Sequence, residues 1–129
     1  MSQMNSEEMR PKVLIVDDNP ANLQILRNTL EAEDYKIYVA SSGQMALKVI
    51  DHASPDLIIL DIILPDISGY EICRQLKQSE AYADLPVIFV TAKDETESLV
   101  EGFSAGGVDY VTKPFAEEEI RVRVRTHLE

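Results

Sequence analysis

The sequence predicts a doubly wound α/β fold, in which helices cover both faces of a five-stranded parallel sheet. Apolar runs of strand length alternate five times with segments whose apolar residues recur at helical spacing. The runs themselves show no polar alternation, which indicates strands that are buried on both faces. With 129 residues, the chain has the length of one domain with a single core.

The first half of the chain contains three strand–helix pairs. Its strands are predicted at 13–16, 36–40 and 57–60. Asn19 and Pro20 suit the cap and the first turn of the first helix, because asparagine accepts backbone hydrogen bonds there and proline has no amide hydrogen to leave unpaired. Ser42 is placed to open the second helix, and Gly69 precedes the third.

Two further strand–helix pairs are predicted in the second half. Their strands lie at 87–90 and 110–112. The helix between these strands follows a polar stretch that starts at Asp94, and it ends at Gly106 and Gly107. The last helix starts at Ala116, with three glutamates in its first turn and arginines further on, which complements the helix dipole.

The first ten residues and the last helix are predicted to differ from the rest of the domain. Residues 1–10 are polar and contain no apolar segment of signal-peptide type, so we expect a disordered lead-in before a single domain over 11–129. The last helix continues with charged residues to Glu129 without a terminating glycine or proline. We therefore expect a domain that belongs to a longer polypeptide, and a short native end is the alternative.

Charge and composition exclude several classes of protein. A net charge of −11 argues against direct binding of nucleic acid, which needs a basic face, and against an anionic membrane surface. No apolar run approaches the length of a membrane span, about 20 residues. The single cysteine, Cys73, rules out an internal disulfide and is predicted to be a small buried hydrophobe in a cytoplasmic protein. His52 and His127 are predicted to be exposed surface side chains.

Chemically active side chains follow four of the predicted strands. Asp17 and Asp18 come directly after the first strand, Asp61 after the third, Thr91 after the fourth and Lys113 after the last. Because the carboxyl ends of parallel strands share one edge of the sheet, we expect these side chains to converge. Two carboxylates about 4 Å apart repel by about 4 kcal/mol at an effective dielectric of about 20. Mg²⁺ would remove that penalty, and a lysine can hold a phosphoryl oxygen.

A purely structural interpretation of each acid stays open at this point. A single aspartate after a strand is commonly a turn residue or a helix cap, and Asp18 with Asn19 could cap the first helix. The coincidence at three strand ends favours a metal-dependent site for phosphoryl chemistry.

Four segments resemble the motifs of receiver domains from two-component response regulators. They are VLIVDD at 13–18, LDIILPDISG at 60–69, VTA at 90–92 and YVTKPF at 110–115. Each segment alone is a weak match, but all four in this order and spacing form a strong one that extends from Lys12 to about Leu128. The resemblance implies a flavodoxin-like strand order of 2-1-3-4-5, with its switch point between the first and third strands.

The resemblance also implies a function and a site. Asp61 would accept a phosphoryl group from a sensor histidine kinase or a phosphotransfer protein, so the chain would be a phosphoacceptor signalling domain and not an enzyme. Asp18, Asp61 and the backbone carbonyl of Ile63 would bind Mg²⁺, with Asp17 acting through a water molecule. Lys113 would pair with Asp61 before the transfer and with the phosphoryl group afterwards.

The same resemblance assigns a switch to the end of the fourth strand. The Thr91 hydroxyl would donate to a phosphoryl oxygen, the small Ala92 would leave room for the phosphodonor, and Tyr110 would turn inward. The fourth helix, fifth strand and fifth helix would then present a changed surface to a downstream effector domain or a homodimer partner. A cis peptide is expected between Lys113 and Pro114.

Two positions near the predicted phosphorylation site vary within the family. Ile63 and Lys93 lie two residues beyond Asp61 and Thr91, where side chains tune the access of water to the acyl phosphate. An apolar Ile63 offers water no hydrogen bond. We therefore predict slow self-dephosphorylation.

Three other functions compete with this one. A phosphatase of the haloacid dehalogenase type needs a second aspartate two positions beyond the first, and that position holds Ile63. A flavodoxin-like cofactor carrier needs a phosphate-binding loop after the first strand, where Asp17 and Asp18 would repel the cofactor. A receiver-like scaffold that is never phosphorylated usually lacks the acids or the lysine, and this chain has both.

Overall fold

The computed structural model describes residues 10–92 and 96–128, without the side chains of 96–99. Within these residues, strands and helices alternate as predicted. The elements are β1 (Lys12–Val16), α1 (Pro20–Glu31), β2 (Lys36–Ala40), α2 (Gly43–Ala53), β3 (Leu57–Asp61), α3 (Gly69–Lys77), β4 (Val87–Thr91), α4 (Thr96–Ala105), β5 (Asp109–Thr112) and α5 (Glu117–Leu128). Each strand bound lies within one residue of its prediction. Asp94 lies outside the described residues, as does the lead-in apart from Arg10, which forms an ion pair with Asp34.

The strands pair in parallel in the order β2-β1-β3-β4-β5, which confirms the predicted order. The central strands β3 and β4 are buried along their whole length, whereas the edge strands β2 and β5 are mostly half-buried. The chain leaves β1 toward one edge and later returns to add β3 on the other side. In doubly wound sheets, the crevice at such a switch point is where ligands bind.

The helices begin at side chains that accept backbone amides. Asn19 accepts two amides of α1 at 2.8 and 3.3 Å, and Pro20 occupies the first turn of that helix. Ser42 accepts an amide of α2 at 3.2 Å. In α3, Ser68 is the cap and Gly69 the first helical residue. These caps satisfy amides that have no partner inside the helix, and α1 and α2 start where the sequence predicts. Helix α3 includes Gly69, which is predicted to precede it, and α5 starts at Glu117, one residue after the predicted Ala116.

Two apolar cores lie on opposite faces of the sheet. Along β1, Leu14 and Val16 belong to one core, and Val13 and Ile15 belong to the other, as the alternation of strand side chains requires. Helices α2, α3 and α4 contribute to the first core, and α1 and α5 to the second. Each large aliphatic side chain contributes about 1.5–3 kcal/mol on burial. The carboxyl ends of β1 and β3 therefore rest on packed core.

The predictions for the cysteine and the histidines have mixed outcomes. Cys73 is a buried free thiol, as predicted, and burial raises its pKa. His52 is exposed, but the prediction for His127 is wrong. The Nε2 atom of His127 lies 3.0 Å from a carboxylate oxygen of Asp109, because α5 packs beside β5 and brings the two together. No helix among the described residues is long and apolar enough to cross a membrane.

Candidate functional site

The strand register brings the acids of β1 and β3 together. Val16 pairs with Leu60, so the residues that follow, Asp17 and Asp61, are neighbours at the carboxyl edge of the sheet. Both acids are buried, with 0% and 5% of their surfaces exposed. Asp61 is the last residue of β3, whereas the sequence predicts that the strand ends one residue earlier and that Asp61 follows it. Two carboxylates held this way need compensating positive charge.

Each of these two acids closes a turn with one of its oxygens. Asp17 Oδ1 accepts the amide of Asn19 at 2.9 Å, and Asp61 Oδ1 accepts the amide of Ile63 at 3.1 Å. Both bonds reach two residues along the chain, the spacing of an Asx turn. The interpretation of these aspartates as turn residues is therefore correct for one oxygen of each. Asp18 is not the cap of α1, since Asn19 takes that role.

The other oxygen of each acid lies near Lys113. The ammonium is 3.0 Å from Asp61 Oδ2 and 3.5 Å from Asp17 Oδ2. Among the described residues, no donor forms a hydrogen bond with the buried Asp17 Oδ2. The peptide between Lys113 and Pro114 is cis, which confirms the expectation, and the Lys113 amide donates to the carbonyl of Thr91 at 2.9 Å. The lysine thus reaches the acids across β4 from the end of β5.

A third carboxylate completes the cluster. Asp18 is exposed, and one oxygen from each of Asp17, Asp18 and Asp61 lies within 4.8 Å of the others. Three carboxylates and one ammonium leave two negative charges unbalanced. Hard oxygen donors and surplus negative charge at this spacing fit a divalent cation such as Mg²⁺.

Burial and charge act in opposite directions on the groups of this cluster. Burial raises the pKa of Asp61, the hydrogen bond from Lys113 lowers it and the charge of Asp17 raises it, and the result lies above the ordinary value of 3.8. Burial acts to lower the pKa of Lys113, but its hydrogen bond to Asp61 and the neighbouring charges outweigh burial and raise it. The pKa values of both groups therefore lie above their ordinary values, and for Lys113 this favours the charged form.

The expected switch residues lie on neighbouring strands: Thr91 ends β4, and Tyr110 lies in β5 in register with Phe89, two residues before Thr91. Thr91 is buried, and its side chain and that of Tyr110 line one small cavity between α4 and β5. Tyr110 is half-buried and packs edge-on against Phe103, with the ring centroids 6.3 Å apart. Ala92 is exposed, as an approaching donor would require, and Lys93 lies outside the described residues.

Sequence reasoning missed one residue near the site. Asp66, in the loop between β3 and α3, accepts the amides of Gly43 and Gln44 at the start of α2, at 2.8 and 2.9 Å. These two hydrogen bonds hold the pKa of Asp66 below its usual range. Its partners lie 23 and 22 residues away in sequence, so no local pattern identifies them. An aspartate after a proline is by itself a common loop pattern.

Fold and site together define a doubly wound α/β protein with an acidic, lysine-containing site at its switch point. Comparisons with known proteins agree. The family model for the response regulator receiver domain matches residues 13–125. The alkaline phosphatase synthesis transcriptional regulatory protein PhoP of Bacillus subtilis is 41% identical over 120 residues, which cover 93% of this chain and 49% of PhoP.

Solved structures give the same result. The chemotaxis response regulator CheY4 of Vibrio cholerae superposes with a TM-score of 0.87 and 28% identity, over 92% of this chain and 98% of CheY4. The BeF3-activated DrrB receiver domain superposes with a TM-score of 0.84 and 36% identity, over 93% of this chain and 98% of that one. The chain belongs to the receiver domains of two-component response regulators. It spans about half the length of PhoP (49%).

The site geometry also bears on two of the competing functions. The second acid of a haloacid dehalogenase site would stand at Ile63, whose apolar side chain is 74% exposed and cannot transfer a proton. The loop after β1, where a flavodoxin-like carrier needs to cradle phosphate, contains Asp17 and Asp18 of the acidic cluster. Neither position supports the competing chemistry.

Proposed function

We propose that this receiver domain is a phosphoacceptor and that Asp61 carries the phosphoryl group. The observation that carries the proposal is the position of the Asp61 carboxylate. One oxygen lies 3.0 Å from the Lys113 ammonium, and the residue shares a metal-type cluster with Asp17 and Asp18. Phosphoryl transfer requires positioning and neutralisation of charge on the transferring oxygens, and these surroundings supply both.

The proposed metal is Mg²⁺. Asp18, Asp61 and the backbone carbonyl of Ile63 would bind it directly, and Asp17 would act through a water molecule. These are hard oxygen donors of the kind Mg²⁺ prefers. When bound, the ion neutralises the carboxylates and the charge on the phosphoryl oxygens. The two unbalanced negative charges of the cluster support this assignment.

The transfer step uses Asp61 and Lys113, whose side chains are already in contact. An oxygen of Asp61 forms a bond to phosphorus while the bond from phosphorus to the imidazole nitrogen of a kinase histidine breaks, and the electron pair stays on that nitrogen. The product is an acyl phosphate. The Lys113 ammonium, now paired with Asp61, then donates to a phosphoryl oxygen, and the Thr91 hydroxyl donates to another. Attack of water on the acyl phosphate later restores the carboxylate and releases inorganic phosphate.

The signal is proposed to leave the site through Thr91 and Tyr110. Both line one cavity, so a shift of Thr91 toward a phosphoryl oxygen opens space into which Tyr110 turns. The surface of α4, β5 and α5 changes with it, and a local charge event is converted into a recognisable surface. The recipient would be a downstream effector domain or a second copy of the chain.

The proposed setting is a cytoplasmic signalling protein. The donor would be a sensor histidine kinase or a phosphotransfer protein, and 11–129 would be one domain of a longer polypeptide. PhoP, of which this chain covers 49%, is a relative in which such a domain forms part of a longer protein. PhoP is named as a transcriptional regulatory protein and CheY4 as a chemotaxis response regulator, so relatives that share this domain differ in output.

The intact mass of the protein after incubation with acetyl phosphate and Mg²⁺ tests the proposal. The wild-type chain is expected to gain one phosphoryl group, and the gain is expected to disappear in Asp61→Asn and in the presence of a chelator. Asp56→Asn is the matched control, because Asp56 is also a carboxylate that accepts a backbone amide, from Lys12 at 2.8 Å at the opposite edge of the sheet. It should be phosphorylated like the wild type.

Two outcomes would contradict the proposal. A gain that survives in Asp61→Asn would move the phosphorylation to another residue. No gain in the wild type, either from acetyl phosphate or from a panel of autophosphorylated histidine kinases, would favour the scaffold that is never phosphorylated.

A further inference from the structure

We propose that Asp66 positions the loop between β3 and α3 for metal binding by fastening it to the amino-terminal end of α2. The inference rests on the proposed function, because this loop carries Ile63, whose backbone carbonyl is the proposed metal ligand beside Asp18 and Asp61. Asp66 acts as a positioning residue and is not itself a ligand.

Both carboxylate oxygens of Asp66 are used in the contact. Oδ1 accepts the amide of Gly43 at 2.8 Å, and Oδ2 accepts the amide of Gln44 at 2.9 Å. Oδ1 also accepts the amide of Ile67 within its own loop, at 3.0 Å. A bidentate contact with two successive amides defines an orientation as well as a distance, because neither oxygen can move without lengthening a bond.

The contact completes the amino-terminal end of α2. A helix leaves its first amides without partners inside the helix. In α2, Ser42 accepts the amide of Met45 at 3.2 Å, and Asp66 accepts those of Gly43 and Gln44. The negative carboxylate also complements the positive end of the helix dipole. The loop is therefore attached to a site that favours its charge.

Packing reinforces the attachment on both sides of Asp66. A Cβ atom at Gly43 would clash with the side chain of Ile67, so the absence of a side chain at Gly43 lets the loop lie directly against the helix. The loop is also closed at its base, where the Gly69 amide donates to the Ile62 carbonyl at 2.8 Å. A Cβ atom at Gly69 would clash with the carbonyl of Asp61.

These restraints leave few free residues in the loop. Asp61 is fixed in β3, and its Oδ1 holds the Ile63 amide at 3.1 Å. Asp66 is held by α2, and Pro65 before it has a restricted backbone. The peptide of Ile63 thus lies between two anchored points. Loss of the second anchor would let the Ile63 carbonyl turn away, while Asp61 in its strand would stay in place.

This distinction separates a positioning role from a purely stabilising one. If Asp66 only capped α2, its removal would lower stability without a specific effect on the metal. If Asp66 positions the loop, removal weakens Mg²⁺ binding but leaves the phosphorylation rate at saturating Mg²⁺ close to that of the wild type. Loss of a group that bonds directly to a metal ligand costs about 10-fold to 100-fold in metal affinity. Asp66 acts on Ile63 through the loop backbone, so we expect a loss at the lower end of that range.

The test measures the Mg²⁺ dissociation constant by calorimetry, together with the Mg²⁺ dependence of phosphorylation by acetyl phosphate. Asp66→Ala is expected to bind Mg²⁺ about tenfold more weakly. Asp66→Asn keeps one acceptor oxygen and should show a smaller loss. Asp56→Ala is the matched control, because it also removes a carboxylate from a backbone amide, at the far edge of the sheet, and its Mg²⁺ affinity should not change.

A second variant disturbs the contact from the helix side. Gly43→Ala keeps the Asp66 carboxylate and pushes against Ile67, so it should also weaken Mg²⁺ binding. This variant keeps the inference testable if Asp66→Ala does not fold.

The inference is overturned if Asp66→Ala and Gly43→Ala bind Mg²⁺ as tightly as Asp56→Ala does. Failure of the proposed function would look different, because the wild type would then take up no phosphoryl group or Asp61→Asn would still take one up. The Mg²⁺ affinities of the Asp66 series can be compared in either case.

Discussion

At the scale of single residues, the two buried aspartates divide their oxygens between structure and charge. In Asp17 and in Asp61, Oδ1 accepts an amide two residues further along the chain, and Oδ2 lies near the Lys113 ammonium. Each carboxylate therefore holds its own loop in shape and presents its second oxygen to the centre of the site. This explains how acids can be buried here without a hydrogen bond to every lone pair.

The side chain of Ile63 is predicted to limit the access of water to the acyl phosphate. Its side chain is apolar and 74% exposed beside the proposed phosphoacceptor, so it offers an approaching water molecule no hydrogen bond. Ile63→Asn supplies an amide that can orient water, and it should shorten the half-life of the acyl phosphate. Because Ile63 is exposed, this change should alter the free energy of unfolding by no more than about 0.5 kcal/mol. The measurement is the loss of phosphoryl mass with time after the donor is removed.

Ile25→Asn controls for the chemical nature of the Ile63 substitution. Ile25 lies on α1 and is 43% exposed, so the same exchange is made on another partly exposed surface. Its acyl phosphate should have the wild-type half-life. An unchanged half-life in Ile63→Asn would contradict the idea that this side chain restricts water.

At the scale of elements, helix starts are closed by side chains from two sources. Asn19, Ser42 and Ser68 cap their own helices, whereas Asp66 reaches the start of α2 from another loop. The local caps decide where a helix begins. The distant one decides how a helix and a loop are held together.

Asn19→Ala tests the local kind of cap. Asn19 accepts two amides of α1, and the loss of such a cap costs about 1 kcal/mol of the free energy of unfolding. Urea denaturation with a fixed m-value measures the change. Asn28→Ala is the control within the same helix. Among the described residues, the exposed Asn28 accepts a side-chain hydrogen bond from Gln24, and the higher helix propensity of alanine offsets its loss, so the change should lie within a few tenths of a kcal/mol of zero. Equal losses in the two variants would argue against capping as the cause.

At the scale of the whole molecule, the acidic site lowers the free energy of unfolding at neutral pH. The pKa of Asp61 is raised above 3.8 in the folded state, chiefly by burial. The folded protein therefore holds this proton more tightly than the unfolded chain does. The stabilising contribution is fully present below 3.8 and is lost as pH rises through the folded pKa. Once ionised, Asp61 lowers the stability of the metal-free protein, because the Lys113 ammonium only partly offsets the effects of burial and of the Asp17 charge.

Asp61→Asn should accordingly raise the melting temperature of the metal-free protein at neutral pH. The gain should shrink as pH falls through the folded pKa of Asp61 toward 3.8, because the wild-type side chain is then neutral as well. Mg²⁺ at about 100 times its dissociation constant should add about 2.7 kcal/mol to the wild type and less to the variant. A variant that is less stable than the wild type at neutral pH would contradict this account.

Asp109 makes stability depend on pH in the opposite direction to Asp61, so it serves as a comparison within the same protein. Burial acts to raise its pKa, but hydrogen bonds from His127, the Tyr110 amide and Arg123 outweigh burial and lower it. Its contribution to stability is present above 3.8 and is lost as pH falls through the folded pKa. Asp109→Asn should therefore destabilise the protein at neutral pH, where Asp61→Asn stabilises it.

Much of the fold follows from local patterns. Uninterrupted apolar runs predict strands covered on both faces, and the observed bounds differ by at most one residue. Asn19, Pro20 and Ser42 mark helix starts through bonds to amides two or three residues away. Such interactions depend on short stretches of chain and can therefore be read from them.

The sequence by itself determined the alternation of elements, the strand ends that carry Asp17, Asp61 and Lys113, and, through its motifs, the family. Only the tertiary structure decided which oxygen of each acid closes a turn and which lies near the lysine. It also decided that Asp66 joins α2 and that His127 pairs with Asp109. These contacts join residues 18 or more positions apart, and their geometry depends on how packed helices lie on the sheet, which no local pattern specifies.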